Sequence, residues 1–303
     1  MNFNEPQLSD GQVRVRCSNA VVPAKPEASA VWQGAIRLHY DRVEAKTQLA
    51  EVWHQAPLKV QRSLYPESNG ICHTILIHTA GGMVGGDRLN YRLTLAPHAH
   101  AVVTTAAASK IYCAQGKQTE QVVEIDIAED AYLEWLPQEA IVFDRARFQQ
   151  TLRVNLAPRA SWLGWDIYRF GRTARGERFL EGEWRSQTEV WRSGAPLWID
   201  RQWLPGSQEA IDRPHGLNRC SVVGTFAWIG REVDRDLVQQ LRESWTALGL
   251  AGEAGVSRLQ EGVICRYRGQ STAEVRQWFA QAWDRVRFYA IGQPACPVRV
   301  WQV

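Results

Sequence analysis

The stretch VVEIDIAEDAYLEW, residues 122–135, is an alternating run, a short turn and a second run. Val123, Ile125 and Ile127 fall on one side and Glu124 and Asp126 on the other. That is the two-residue period of a strand with one covered face. The A-E-D-A link that follows has turn chemistry. The same arrangement recurs in YRLTLAPHAHAVV, residues 91–103, and in TLRVNLAPRASWLGW, residues 151–165. The leading alanines of the three links, Ala96, Ala128 and Ala157, are 32 and 29 residues apart. A near-constant period of this size, with one strand–turn–strand unit each, is the signature of stacked β architecture. The chain therefore reads as mainly β, with stacked, β-helix-like or solenoid sheets. In such a stack the segments that follow each unit, TTAAASKIY, LPQEAIVFDRAR and YRFGRTARGE, emerge along one side of the protein.

The pattern changes towards the C-terminus. Strand-like runs persist through EWRSQTEVW and PLWIDRQWL, and RLQEGVICRYRG reads as a further strand pair. Two α-helices are predicted in the C-terminal third. One spans residues 234–248, with Asp234 as its N-cap, Leu237, Leu241, Trp245 and Leu248 on one face, and Gly249 as its stop. The other spans residues 271–289. It opens on a Ser271/Glu274 capping box and carries Val275, Trp278, Phe279, Ala282, Val286 and Tyr289 as an apolar stripe. No linker divides residues 31–303, which are read as one domain. Residues 1–30, polar and punctuated by prolines, are expected to be mobile.

Composition narrows the function classes. Lys and Arg total 35 against 32 Asp and Glu, a net charge of +3 with no dense basic block. That gives no footprint for nucleic acid or for an acidic membrane surface. The first residues, MNFNEPQLSDGQVR, lack an apolar segment, and no apolar run approaches a membrane span, so a cytoplasmic protein is expected. Six scattered cysteines without a C-x-x-C pair are expected to be reduced thiols. The fourteen tryptophans favour β structure and broad interfaces.

The glycine loop GGMVGGDRL, residues 81–89, invites a phosphate reading. Gly81 and Gly86 have Walker spacing, but Asp87 stands where the phosphate-binding lysine belongs. A dinucleotide fingerprint would open a helix, and here a strand-like run follows. Gly81, Gly82, Gly85 and Gly86 are instead expected to shape the backbone and to present Asp87 at the loop's exit. His73 and His78 have opposite strand parity, and Cys72 lies about 20 Å from His78 along one strand, so these do not chelate together. His98 and His100 are retained as weak metal contacts at most, and no stable metal site is predicted. No G-x-S-x-G elbow is present, and Cys113 reads as packing. The carboxylates that follow strands remain: Asp87, Glu139, Asp144 and Glu177. Each alone reads as a solvated salt bridge. Stacking would let them line one polar cleft or channel, where a divalent cation binds weakly enough to pass.

GGMVGGDRL, TTAAASKIY, LPQEAIVFDRAR and FGRTARGERFLEG in this order, with PACPVRVW as the tail, resemble the urease accessory protein family UreD, also called UreH. The resemblance runs from Trp32 to Trp301. It departs mildly at HTAGG, where family members often carry a proline pair, and at AAAS. The resemblance implies a non-enzyme with a mainly β, stacked fold and a pair of helices. It implies a complex with UreF and the GTPase UreG that docks on apo-urease and delivers nickel to its active site. It also implies an internal passage for transient nickel(II), for which Asp87, Glu139, Asp144 and Glu177 are the candidates. The rival reading is a carboxylate-dependent glycoside hydrolase or sugar-binding β-helix, which acids and tryptophans on stacked strands would also suit. The arginines around Glu177 argue against it, because they lower the pKa that a general acid needs raised.

Overall fold

The computed structural model of the chain describes residues 31–302, so the segment expected to be mobile, 1–30, lies outside the described residues. The strands are β1 (Gln33–Val43), β2 (Lys46–Gln55), β3 (Leu58–Val60), β4 (Cys72–His78), β5 (Arg88–Leu95), β6 (His100–Thr105), β7 (Ser109–Ile111), β8 (Thr119–Ile127) and β9 (Tyr132–Leu136). There follow β10 (Ala140–Val142), β11 (Arg147–Leu156), β12 (Ser161–Phe170), β13 (Glu183–Arg192), β14 (Ala195–Pro205), β15 (Val222–Ile229), β16 (Glu253–Leu259) and β17 (Gly262–Gly269). The helices are α1 (Gln208–Asp212), α2 (Arg235–Leu248) and α3 (Thr272–Ile291).

The first sheet runs β14-β13-β11-β8-β5-β1-β2 and the second β16-β17-β15-β12-β9-β6-β4-β3. The chain crosses between them coil by coil. β5, β8, β11 and β13 stack in parallel in the first sheet, and β4, β6, β9 and β12 in the second. A short third ladder joins β7, β10 and the end of β12, pairing Ser109, Ala140 and Tyr168 at one level. The three segments expected to emerge on one side do so side by side in this ladder. Antiparallel pairs close the stack, β1 with β2 and β13 with β14, while β15, β16 and β17 extend the second sheet past the last coil.

The three A-x-x-A links are stacked turns. Ala99, Ala131 and Ala160 donate their N–H to Ala96, Ala128 and Ala157 at 3.1, 3.1 and 3.2 Å. The third residues, His98, Asp130 and Arg159, take φ of 60, 56 and 58°. With proline second in two of them, these are type II turns. Ala99, Ala131 and Ala160 pack inside with at most 1% exposure. Outside, Asp130 accepts from Arg159 at 2.7 and 2.8 Å, with His98 at 3.8 Å on its other side.

Two cores result. One fills the space between the sheets, with Ile36, Leu93, Ile125 and Val154 from the stacked strands. The other lies between the second sheet and the helices and contains Trp165, Trp228, Leu241, Trp278, Phe279 and Trp283. Asp234 caps α2 by accepting from Leu237 N–H at 2.8 Å, and Gly249 ends it at φ 59°. α1 has no counterpart in the sequence pattern. Its five residues are too few to carry a helical period, and they rest on the Ser207 cap. Tyr289 departs from the expected stripe. It is 43% exposed and meets the core only through the edge of Trp228, because α3 by then has reached the margin of the sheet.

Candidate functional site

The glycine loop stacks on the next coil. Gly81, Gly82 and Gly86 take positive φ of 75, 153 and 98°. At Gly85 a Cβ would lie 1.9 Å from the Ala114 carbonyl oxygen, so only glycine fits there. Asp87 closes the turn. It is 2% exposed, and its carboxylate accepts the N–H groups of Trp32 and Val84, both at 2.8 Å.

Asp144 does the same two coils along, accepting from Leu180 and Glu181 N–H at 2.7 and 2.9 Å. Glu177 meets it: one oxygen accepts the N–H of Asp144 and of Arg172, each at 3.2 Å, and the other takes the Arg172 guanidinium. Burial alone would push the Glu177 carboxyl up, but Arg172 and those N–H groups outweigh it and hold it below the usual range. Asp87, Asp144 and Glu177 thus share one edge of the stack, where coils re-enter the first sheet. Glu139 sits apart, paired with Arg276 of α3 at 3.0 Å.

His98 and His100 lie at the other end of the coils. His98 is exposed. His100 is committed through Nε2 to Glu134 at 2.5 Å. Glu134 is fully buried and also meets the Trp283 indole and Arg287, itself fully buried and bound at 2.6 Å to Glu67. His73 completes this network on Glu67 at 2.6 Å. Among the described residues no group of three or more His, Cys, Asp or Glu could hold a metal ion.

A different pair of carboxylates lies inside the protein. On β12, Trp162, Tyr168 and Phe170 face the first sheet, and Asp166 shares their parity. On β14, Asp200 shares the inward parity of Trp198 and Leu204. The strand registers set them in facing rows. Asp200 pairs with Thr188 in the first sheet, while Asp166, Thr225 and Arg266 form one row in the second. Between the rows is a narrow cavity of about 10 Å³, room for one water molecule, lined by Asp166, Thr188, Asp200, Gln202 and Thr225 with Trp162 and Trp198. Asp200 accepts from Gln202 at 2.7 Å and from Arg266 at 2.6 Å, and both donors also reach the Thr225 hydroxyl.

Asp166 has no such cation partner. Burial, with the nearby charge of Asp200, pushes its carboxyl up to about 7. An ionisable group kept between the sheets without a cation partner costs stability, which makes Asp166 a functional-site candidate. The sequence pattern does not single out this pair. The available signal is an acid in GWDIYRF, a run apolar on both faces.

Chemically, the cavity offers two carboxylates, two hydroxyls and an amide within one seam. Hard oxygen donors in that number suit a divalent cation held weakly.

The profile of the family described as UreD urease accessory protein matches residues 33–302. The urease accessory proteins UreD of Acaryochloris marina and Nostoc punctiforme are 51% and 52% identical over 272 residues, covering 90% of this chain and 96% of each relative. That of Synechocystis is 44% identical over 254 residues, 84% of this chain and 94% of its own. With the match running through every strand and helix described above, the chain belongs to the UreD urease accessory protein family.

Proposed function

We propose that this chain is a non-catalytic scaffold and conduit in urease maturation, working in the cytoplasm. It docks on apo-urease together with UreF and, through the complex, the GTPase UreG, and it passes nickel(II) through its interior towards the urease active site. The observation that carries the conduit reading is the seam between the sheets, where Asp166 and Asp200, both half-buried, face one small cavity. The fold gains nothing from the charge of Asp166, whereas a path for a cation needs carboxylates. Asp87, Glu139, Asp144 and Glu177 are candidates for the rim of the path, although each already holds a backbone N–H or an arginine. The seam is too narrow for a sugar ring, which counts against the glycosidase alternative.

The test is co-expression with apo-urease and the other accessory proteins. Asp166→Asn and Asp200→Asn keep size and remove charge. Each is expected to leave co-purification intact and to lower nickel-dependent urease activation by about tenfold or more, the scale of losing one charged contact to the cargo. Full activation with both substitutions combined would end the conduit reading.

A further inference from the structure

We propose that Arg266 is an internal gate: its guanidinium holds Asp200 in place of the cargo cation, and a divalent cation enters the seam by exchanging with it. This rests on the conduit reading and adds to it a closing group and a charge rule.

The geometry is that of a plug. Arg266 projects from β17, and its two terminal nitrogens divide between the Asp200 carboxylate at 2.6 Å and the Thr225 hydroxyl at 3.0 Å. Both partners line the cavity, which is closed down to the size of one water. The Arg266 side chain is 38% exposed while that of Asp200 is 15% exposed, so the guanidinium has solvent to swing into and the carboxylate does not. β14 is the edge strand of its sheet, which puts this pair where the seam meets the surface.

Charge counting supports exchange. Of the titratable and charged groups here, Asp166 on β12 and Asp200 on β14 line the cavity, Tyr168 neighbours Asp166, and Arg266 on β17 is bound to Asp200; the other polar side chains are Gln150, Ser186, Thr188, Gln202 and Thr225. Asp200 and Arg266 balance one another where the seam meets the surface. A divalent cation entering this space is balanced by two carboxylates. Entry therefore turns Arg266 outwards and leaves Asp200, with Asp166 beside it, facing the cation. Burying a cation beside an unmoved guanidinium would instead leave like charges together in a narrow space.

The experiment measures nickel(II) binding to the full chain, purified with its accessory partners, by competition with a chromophoric chelator. Arg266→Gln is expected to tighten nickel binding by about three- to fivefold, the worth of one partly exposed ion pair. Asp200→Asn in that background is expected to cancel the gain. Arg266→Lys keeps a charge, and so guards against a failure to fold, but cannot span Asp200 and Thr225 together; it is expected to give a smaller gain. If folded Arg266→Gln and Arg266→Lys bind nickel no better than wild type while Asp166→Asn and Asp200→Asn bind it worse, the gate is wrong and the conduit stands. If Asp166→Asn and Asp200→Asn change neither binding nor activation, the conduit and the gate fail together.

Discussion

Replacing Asp166 by asparagine tests directly whether the interior carboxylate is under strain. The ordinary value for an aspartate is 3.8, and burial with the Asp200 charge raises this one to about 7. The difference is about three units at about 1.4 kcal/mol each, so the ionised form costs the fold roughly 4 kcal/mol at full strength. Part of Asp166 faces the cavity, which reduces the effective penalty to roughly 2–3 kcal/mol. The sign follows from linkage. A group whose folded value is raised contributes stability that is fully present below 3.8 and is lost as pH rises through about 7. The asparagine side chain does not titrate, so the Asp166→Asn protein lacks this loss. The assay is urea unfolding followed by tryptophan fluorescence from about pH 5 to pH 8, for wild type and Asp166→Asn. Wild type should lose about 2 kcal/mol relative to the variant across that range, and the difference should level off above about pH 8. Parallel curves, or a wild type that gains on the variant as pH rises, would refute the assignment of a strained carboxyl in the seam.

Two other substitutions weigh charges that hold the fold together. Arg287→Met leaves the fully buried Glu134 and its neighbour Glu67 without their guanidinium and should cost about 3–5 kcal/mol in denaturant unfolding, whatever the pH between neutral and mildly alkaline. Asp87→Ala strips the acceptor from the N–H groups of Trp32 and Val84 and should cost about 3 kcal/mol, while Asp87→Asn, which keeps one acceptor oxygen, should cost less than half of that by thermal melting.

The stacked half of the fold is legible because its signals are local. Each strand carries its own alternation, and each corner has its own turn sequence, so three repeats of the pattern are enough to predict the coils. α2 and α3 are legible for the same reason, since Asp234, Gly249 and Ser271 act within one turn of themselves. Failures begin where a contact comes from elsewhere in the chain. Ser271 caps Glu274 N–H at 3.3 Å as expected, but the Glu274 carboxylate accepts the Tyr267 hydroxyl from β17 at 3.0 Å. His100 reads as a free ligand beside His98, and only the fold shows Glu134 of the next coil waiting for it.

The position of the seam explains why the repeat points to other acids. A period near 30 residues brings equivalent positions of successive coils together, and so it collects the corner groups Asp87, Asp144 and Glu177 along one edge. Corners are also where backbone N–H groups lack strand partners, and these carboxylates are there to satisfy them. The seam forms where the repeat stops. Asp166 stands on the last coil strand of the second sheet, Asp200 on the return strand of a hairpin, and Thr225 and Arg266 on antiparallel strands added beyond the coils. Their separations in sequence follow no period, because hairpins and an intervening helix set them. What aligns them is the level at which two sheets face each other, and that is fixed by register rather than by pattern. At that level Asp200, Thr225 and Arg266 bond to one another across the two sheets, and Asp166 stands beside them without a cation of its own among the described residues.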